Sequence, residues 1–511
     1  MKRNFEFLKR ASAKSLAVLA ACAAFSYGFM SCTNDEEGGG GVPEGKPTTF
    51  SISIPMVPTY ATDPGITTEN TWSTCDIWVL NSTGSAVEKH VSLANSAFTL
   101  NSGIWEMNAP IEVLSGQKKI YVGLNIPANM VTSIGSGVQA VYTDASLRNN
   151  ITGASAFAMF SDNSTVNSNL STAIANTYDI TPDITSPTAA DNKFTINVRR
   201  LAVKVTVERD AALASAPNNQ ASGATFSVTA TDMVYAMGNV NTKVYPLQKV
   251  LSSGEIEDPN YTSPPAPTWP GTDPSYVADF VNDFGTVTGA GSPWITYTIP
   301  TPGAYVQTHN ANASATATSN LKYAVENTSP TPYWPKLLTY ASIRVKFTPA
   351  SLITNYVAGS SATSPGVPTA TTSPSSGQMT DMYVCVTAAG QYLYFDTQAA
   401  ADAWLGDSFP PTTMDNNGAI RMGKYDNQYC YYLVYLDPKS DYQISSVDVP
   451  YAAVRNFFYK LNVKKINSLG YPGPDGQPDD KKPLATKTMI SVDVNIMPWQ
   501  LIATDVELGQ L

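Results

Sequence analysis

The feature that most constrains this 511-residue chain is a side-chain period of two that recurs along most of its length. The alternating segments are rich in β-branched and aromatic residues, and turns rich in Pro, Gly, Asn and Ser separate them. Examples are FSISIPM (50–56), KKIYVGLNI (118–126), KFTINVRRLAVKVTVER (193–209), SIRVKFTP (342–349) and MISVDVNI (489–496). The pattern predicts an all-β protein built from antiparallel β-sandwiches. Few short helices are expected, the best candidate being 396–406, with Asp396 or Thr397 as its N-cap.

Length predicts two domains, with three as the alternative, because 511 residues exceed what one hydrophobic core usually supports. The stretch 252–275 is dense in Pro and Ser, which is typical of a linker or a long surface loop. We expect an N-terminal sandwich at 48–246, a C-terminal sandwich at 247–499 and a separate last strand at 500–511. A second segment rich in Pro and Ser, 358–378, is expected to form an exposed loop.

The N-terminus carries the signs of an exported protein. A basic segment precedes the apolar run SLAVLAACAAFSYGFM, and Cys32 follows the small residue Ser31. This arrangement resembles a bacterial lipoprotein signal, so we expect residues 1–31 to be a signal peptide. Cys32 would carry the lipid (palmitate), and 32–47 would be a flexible tether. Cys22, in LAAC, is the alternative acceptor, but it would leave an apolar extension. An uncleaved anchor helix is a further alternative, for which the apolar run falls short of about 20 residues.

Charge and motifs argue against several classes of function. The net charge of −10 disfavours nucleic acid and anionic membranes as partners. The two histidines, His90 and His309, lack metal-site spacing, and neither a GxSxG elbow nor a phosphate loop is present. The turn 470–483 holds an acidic cluster that does not match the spacing of an EF-hand and is interpreted as solvated: Asp475, Asp479 and Asp480. We therefore expect no enzyme, no metal and no cofactor.

Three cysteines lie beyond the predicted signal: Cys75, Cys385 and Cys430. Their odd number excludes a complete disulfide framework. Cys385 and Cys430 both fall in predicted strands and could pair if those strands are adjacent. Buried free thiols are the other possibility.

Several segments resemble the fimbrillins of Bacteroidales, and most closely the minor-fimbria (Mfa1-type) shaft subunits. They are TTFSISIPM, VRRLAVKVTVER and the C-terminal section from Val447 to Leu508. The most specific parts are the Y-x-L-x-V-x-K-I-N progression at 459–467 and the V-x-V-x-I-x-P-W sequence at 492–499. The likeness is patchy over the first 190 residues, and Phe457 stands where the resemblance leads us to expect histidine.

The resemblance implies two transthyretin-like β-sandwich domains and assembly by strand exchange. In that scheme a lipoprotein precursor reaches the outer membrane, and a protease cuts the loop after the first strand. The lipidated strand then leaves, and the C-terminal strand of another subunit fills the empty groove. The implied partners are further copies of the chain or related fimbrial subunits, in an extracellular fimbrium that supports adhesion.

The first and last strands have the alternation that such an exchange requires. The apolar face of the first strand consists of Phe50, Ile52, Ile54 and Met56. The matching face of the last strand consists of Ile502, Thr504, Val506 and Leu508. Pro498 interrupts the ladder before the last strand, and Trp499 is expected to anchor the point of departure. The alternative is that 500–508 closes its own domain.

The chain differs from the fimbrillins that it resembles in the loop after the first strand. In those proteins the processing cut follows an arginine in that loop. The segment 57–72 contains neither Arg nor Lys, so an Arg-specific protease cannot release the first strand. Either another protease acts there, or the strand stays and the chain is a membrane-bound anchor or terminal subunit.

Two further classes of function were weighed against a pilus subunit. A tip adhesin or glycan-binding lipoprotein would expose aromatic side chains such as Trp72, Trp78 and Trp105, although we favour core packing for them. An extracellular hydrolase would need a carboxylate pair or a triad that converges in a cleft.

Overall fold

The computed structural model describes residues 45–55, 67–135, 137–153, 157–162, 176–210, 213, 225–227, 232–251, 253–260, 280–284, 295–296, 321–329, 331, 333–356, 368–372, 381–386, 392–405, 420–438, 443–444, 447–466, 469–474, 492–493 and 500–508. Strands dominate these residues, and the helices among them are short. The prediction of an all-β fold is confirmed. None of the helices in the described part is long and apolar enough to span a membrane.

The first group of elements precedes residue 201. Its strands are β1 (Pro47–Pro55), β2 (Thr74–Asn81), β3 (Val87–Ala94), β4 (Phe98–Asn101), β5 (Ile104–Met107), β6 (Ile111–Leu114), β7 (Gly116–Leu124), β8 (Tyr142–Thr143), β9 (Met159–Ser161), β10 (Thr177–Ile180), β11 (Lys193–Thr195) and β12 (Val198–Arg200). Its helices are α1 (Thr67–Asn70), α2 (Ala128–Ile134) and α3 (Leu147–Ile151).

The second group follows residue 201. Its strands are β13 (Ala202–Arg209), β14 (Thr225–Ser227), β15 (Val234–Gly238), β16 (Val240–Asn241), β17 (Lys243–Val244), β18 (Phe280–Val281), β19 (Ile295–Thr296), β20 (Leu321–Val325), β21 (Tyr340–Thr348), β22 (Leu352–Tyr356), β23 (Pro368–Thr372), β24 (Asp381–Val386), β25 (Tyr392–Phe395), β26 (Ile420–Asp426), β27 (Tyr429–Tyr435), β28 (Gln443–Ile444), β29 (Val447–Asp448), β30 (Phe457–Ile466), β31 (Val492–Asp493) and β32 (Gln500–Leu508). Its helix is α4 (Gln398–Leu405), and two 3₁₀ turns lie at Asn95–Ala97 and Pro335–Leu337.

The first sandwich consists of two sheets. One has the order β11-β1-β5-β4, with β6 also paired to β1, and the other has the order β12-β9-β7-β2-β3, with β10 paired to β7. Alternate residues of each sheet enter a shared core, because successive side chains in a strand point to opposite faces. That core contains Phe50, Ile52, Ile54, Trp72, Cys75, Ile77, Val79, Phe98, Ile111, Ile120, Val122, Leu124, Met159, Ile180 and Ile196.

The second sandwich combines a sheet of order β20-β13-β30-β32-β31 with a sheet of order β14-β21-β15-β19, in which β27 also pairs with β21. Strand β13 runs parallel to β30 and antiparallel to β20. Its inward residues Val203, Val205 and Val207 are at most 1% exposed. The core that they enter continues to the outer face of β2, where Trp78 is buried in the same cluster.

The strands change sheets between Arg200 and Ala202. Strand β12 belongs to the first sandwich and β13 to the second, with Leu201 alone between them. Sheet membership therefore changes well before the boundary expected from composition at 246–247. The alternating run at 193–209 contains no breaker at this point, so the sequence pattern carried no sign of the change.

A third sheet is inserted between β21 and β27. Its order is β23-β22-β25-β24-β26, and α4 packs on one of its faces, next to Ile353 and Phe395. Strand β23 falls within 358–378, so the expectation that this whole segment is an exposed loop was wrong. Backbone pairing with β22 overrides the Pro- and Ser-rich composition there.

Two local expectations can be compared with the structure. The predicted helix at 396–406 is confirmed as α4, and Thr397 is its cap, since the Ala400 N–H donates to Thr397 Oγ1 at 3.3 Å. Cys75, Cys385 and Cys430 are all buried and none is in a disulfide, so Cys385 and Cys430 do not pair. They lie in different hydrophobic clusters, Cys385 beneath α4 and Cys430 in the second core.

Candidate functional site: the first and last strands

Strand β1 lies inside its sheet. It runs parallel to β11 on one side, where Ile52 faces Phe194. On the other side it runs antiparallel to β6 and β5, where Phe50 faces Ile111 and Ile54 faces Trp105. A strand with neighbours on both sides leaves a two-sided groove when it is removed.

The apolar face of β1 points into the first core. Phe50 and Ile52 are 0% exposed and Ile54 is 1% exposed. The Phe50 ring lies 6.4 Å, centroid to centroid, from that of Phe194. Met56, the fourth residue predicted for this face, lies outside the described residues.

The opposite face of β1 is polar and is also buried, which the sequence pattern did not predict. Ser51 and Ser53 are 7% and 6% exposed. On the same face the Thr49 hydroxyl donates to the Ile184 carbonyl at 2.8 Å, and Ser53 Oγ lies 3.0 Å from Thr195 Oγ1. Small hydroxyl side chains suit this face because Thr49 and Ser53 find partners there.

Asn192 helps to hold β1 from the side of β11. Its Nδ2 donates to the carbonyls of Thr49 at 2.9 Å and Thr181 at 2.8 Å, and its Oδ1 accepts from Thr181 N at 2.8 Å. Asn192 has a φ of 55°, in the left-handed region that Asn tolerates better than most residues. The Asn192 carbonyl also accepts from Ser51 N at 2.9 Å.

An ion pair links the two neighbours of β1. Lys193 of β11 and Glu106 of β5 lie on opposite sides of the strand, and their Nζ and Oε1 atoms are 2.6 Å apart. The hydrogen bond from Lys193 lowers the pKa of the Glu106 carboxyl below its ordinary value. Both side chains are about one-third exposed, so the pair contributes little free energy. Its position is nevertheless informative, because it spans the outer face of β1.

The last strand lies in the second sandwich of the isolated chain. β32 runs parallel to β30, with Phe457 opposite Gln500 and Ile466 opposite Leu508, and antiparallel to β31. This is the arrangement of the alternative in which 500–508 closes its own domain. The donor role of Ile502, Thr504, Val506 and Leu508 remains a prediction, and Pro498 and Trp499 lie outside the described residues.

β1 and β32 share two properties. Each contains nine residues. Each also has a parallel neighbour on one side and antiparallel pairing on the other, β11 with β5 and β6 for β1, and β30 with β31 for β32. The two strands therefore have the same length and the same combination of parallel and antiparallel neighbours.

The residues considered for other functions do not form a site. Trp72 and Trp78 are 5% and 1% exposed, and Trp105 packs against the first core, so they offer no aromatic platform. His90 Nε2 lies 3.0 Å from Asp76 Oδ1, and the hydroxyl of Ser92 donates to the same carboxylate. The serine thus contacts the acid and not the histidine, unlike the nucleophile and base of a triad.

The remaining chemical candidates fall outside the described residues: Cys32, His309, Asp475, Asp479 and Asp480. Within the described ranges, no group of three or more His, Cys, Asp or Glu side chains is placed to hold a metal ion.

Buried charges lie between the two sandwiches, and sequence reasoning did not identify them as a group. Arg199 Nε contacts Asp162 Oδ2 at 2.7 Å, and Arg455 NH2 contacts Glu326 Oε2 at 2.7 Å. Burial lowers the pKa of Arg199 from its ordinary value, while Asp162 opposes this effect. The detectable sign was the occurrence of basic residues inside an alternating apolar strand pattern, in VRRLAVKVTVER.

Comparisons with known proteins show a similarity in the C-terminal part of the chain. Residues 423–505 match the family model of the major fimbrial subunit protein type IV, fimbrillin, C-terminal. The match begins in β26 and reaches into β32. No curated protein sequence matches the chain.

Solved structures with a similar course of the chain include three fimbrial proteins. Fimbrilin FimA from Porphyromonas gingivalis W83 is 14% identical, with 91% of this chain and 98% of that chain covered and a TM-score of 0.37. The tip fimbrial protein Mfa3 from Porphyromonas gingivalis is 14% identical, with 61% and 84% covered and a TM-score of 0.29. A fimbrial assembly protein from Parabacteroides distasonis is 10% identical, with 59% and 82% covered and a TM-score of 0.29. At these scores the structures carry no argument, and the similarity to fimbrillins rests on the family model over 423–505.

Proposed function

We propose that this chain, a member of the fimbrillin family by its C-terminal region, is a structural subunit of a cell-surface fimbria that assembles by strand exchange. In this proposal β1 leaves its groove, and β32 of another copy or of a related subunit takes its place. The observation that carries the proposal is the position of β1, a nine-residue strand inside a sheet with a wholly buried apolar face.

The groove supplies enough free energy for a lasting junction. Burying a large apolar side chain contributes about 1.5–3 kcal/mol. The three described core residues of β1 therefore correspond to roughly 5–9 kcal/mol, an upper bound because the unfolded chain already buries part of this surface. Removing β1 without replacement loses this contribution, so the emptied groove has a strong affinity for another strand.

The last strand fits the vacancy by sequence. Positions 502, 504, 506 and 508 carry Ile, Thr, Val and Leu, while Asp505 and Glu507 fall on the other face. Backbone hydrogen bonds give an added strand its affinity, and the alternating pockets give it specificity. In each subunit of the polymer, β32 leaves β30 and β31 and pairs with the neighbours of β1 in the next subunit.

Export and processing complete the proposal. The precursor is lipidated on Cys32 and anchored in the outer membrane, and a protease without Arg or Lys specificity cuts between β1 and α1. If β1 stays, the same groove remains filled and the chain acts as an anchor or terminal subunit.

The first test is the N-terminus of the mature protein on cells, measured by mass spectrometry of the surface fraction. A start between residues 57 and 72 supports a subunit that polymerises by strand exchange. A lipidated start at Cys32 alone contradicts the role of a shaft subunit.

The second test uses purified protein with a specific protease site between β1 and α1 and with 500–511 deleted. After cleavage and removal of β1, a peptide spanning 500–508 should raise the midpoint of thermal unfolding. A Val506→Asp peptide should fail, while a Glu507→Gln peptide, changed on the opposite face, should act like the wild type. Equal action of all three peptides, or no action of any, would refute strand exchange. Deleting only 509–511 from the full chain is the matched control for the deletion of 500–511. Because this shorter deletion leaves the last strand in place, the protein should still self-associate.

A further inference from the structure

The segment that follows the first strand in the described chain is held by a buried carboxylate. We name residues 67–73 the strap; it comprises α1 and the three residues after it. The side chain of Glu69, in α1, is 0% exposed. Its Oε2 lies 3.1 Å from Lys204 Nζ, and its Oε1 accepts a hydrogen bond from the Tyr323 hydroxyl at 2.7 Å.

The pocket that holds Glu69 belongs to the second sandwich. Lys204 lies in β13 and is also 0% exposed, with its Nζ 4.6 Å from the centroid of the Phe458 ring. Tyr323 lies in the adjacent strand β20. An ammonium group buried this deeply needs a carboxylate beside it, because taking a lone charge out of water is very costly.

Arg200 adds a second connection from the point where the chain crosses between sandwiches. Its Nε donates to the carbonyl of Glu69 at 2.9 Å, and its guanidinium contacts Asn70 Oδ1. It also donates to Asn456 Oδ1 at 3.3 Å, next to the start of β30. The strap backbone is thereby tied to both β12 and β30.

The other end of the strap is held by the first sandwich. Trp72 lies in the first core, edge to face with the rings of Phe98 at 5.1 Å and Trp105 at 5.3 Å. Asn125, which follows β7, donates from Nδ2 to the Thr71 carbonyl at 3.1 Å and accepts from Ser73 N at 2.9 Å. The strap therefore contacts both sandwiches.

We propose that the strap is a clamp that stays in the subunit when β1 leaves, with Glu69 in the Lys204–Tyr323 pocket as its holding contact. This inference rests on the proposed function only in that β1 departs. Among the described residues, the pairing partners of β1 all belong to the first sandwich, whereas the Glu69 pocket belongs to the second. The two attachments are separate, so loss of one leaves the other in place.

The consequence for processing is that residues from Thr67 onward are retained. A protease needs an extended segment of chain. Glu69 is buried against the second sandwich and Trp72 is buried in the first, so the strap between them is not free to extend. The mature chain therefore begins at or before Thr67, a narrower window than 57–72.

The test measures amide hydrogen exchange at residues 69–73 in full-length protein that carries a specific protease site between β1 and α1. Exchange is compared before cleavage and after β1 has been removed. In wild-type protein we expect these amides to remain protected, within about threefold of their initial rate. Glu69→Gln keeps the side-chain shape but leaves Lys204 without its counter-charge, and we expect exchange to accelerate about 10²-fold or more in the cleaved protein.

Two further variants keep the test decisive. The double variant Glu69→Gln with Lys204→Met removes both charges and should recover most of the protection, because no charge is then buried alone. Should Glu69→Gln alone not fold, the exchange of the wild-type strap before and after removal of β1 still tests the clamp. Glu88→Gln, which alters the ion pair with Lys118 on the first sandwich at 3.0 Å, is the matched control and should leave strap exchange unchanged.

Strap amides that lose protection with β1 in wild-type protein, while β2 and β7 remain protected, would overturn the inference. So would a mature N-terminus beyond Thr67 on cells. Neither measurement uses the donor strand. Failure of the 500–508 peptide to bind would therefore refute the proposed exchange and leave the clamp standing.

Discussion

Replacing Asp258 with Asn should change how the stability of the protein depends on pH. Asp258 is 2% exposed, and its two oxygens accept hydrogen bonds from Asn260 N and Thr328 N, each at 2.9 Å. Burial raises the pKa of Asp258 to about 7 from an ordinary 3.8, and the nearby charge of Glu326 adds to the rise. The two N–H donors oppose the shift without cancelling it.

The sign follows from proton linkage. A carboxyl whose pKa is higher in the folded state binds more protons there, so its contribution is full below about pH 4 and is lost as the pH rises through about 7. A rise of about three units at 1.36 kcal/mol per unit corresponds to roughly 4 kcal/mol between these limits. Asn cannot titrate, so this loss is absent from the Asp258→Asn variant.

The assay is urea unfolding of both proteins at intervals from pH 4.5 to 8. The free energy of unfolding of the wild type, minus that of Asp258→Asn, should fall by roughly 3 kcal/mol across this range, which is the part of the total that lies between pH 4.5 and 8. Subtraction removes the titration of groups that both proteins share. Leu100→Ala, at an exposed position without a titratable group, should give a difference that is flat with pH. A flat difference for Asp258→Asn as well, or one that grows with pH, would refute the reasoning.

Three other substitutions test the packing. Ile52→Ala should lower the free energy of unfolding, measured with urea, by about 2–5 kcal/mol, because the Ile52 side chain is fully buried in the first core. Arg455→Met should cost about 3–5 kcal/mol in the same assay, because it leaves the Glu326 carboxylate buried without its guanidinium partner. Gly238→Ala should lower the thermal midpoint, with a cost of about 1–3 kcal/mol, because its new Cβ would lie 2.3 Å from Cζ of the buried Tyr340 ring.

Controls for these variants come from exposed positions. Leu100, 48% exposed, should tolerate alanine within about 0.5 kcal/mol. Lys424→Met removes an exposed ion pair with Asp381 and should cost far less than Arg455→Met. An Ile52→Ala protein as stable as Leu100→Ala would mean that β1 is not part of the folded core. An unchanged thermal midpoint in Gly238→Ala would mean that the Tyr340 ring moves aside freely.

Local alternation was enough to predict what lies within single strands. Phe50, Ile52 and Ile54 were assigned to a buried face from their spacing, and the structure buries all three. The N-cap of α4 could also be predicted, because the hydroxyl residue Thr397 precedes an Ala-rich run. These features depend on neighbours a few residues away, which a sequence displays directly.

What the sequence did not predict depends on distant partners. The alternation predicts a solvent-exposed polar face for β1, but Ile184 and Thr195, more than a hundred residues away, contact the side chains of that face. Strand β23 lies in a segment whose composition is typical of a loop, and only its pairing with β22 makes it a strand. The partner of Lys204 is likewise 135 residues distant, at Glu69.

The single residue between β12 and β13 has a mechanical consequence. Leu201 is 0% exposed, so the chain passes from one sandwich to the other without a linker that could extend. Tension applied between the sandwiches would act directly on β13. The six residue pairs that β13 forms with the parallel strand β30 would then be loaded in shear. A filament built from such units would behave as a chain of stiff rods whose compliance lies at the junctions between subunits.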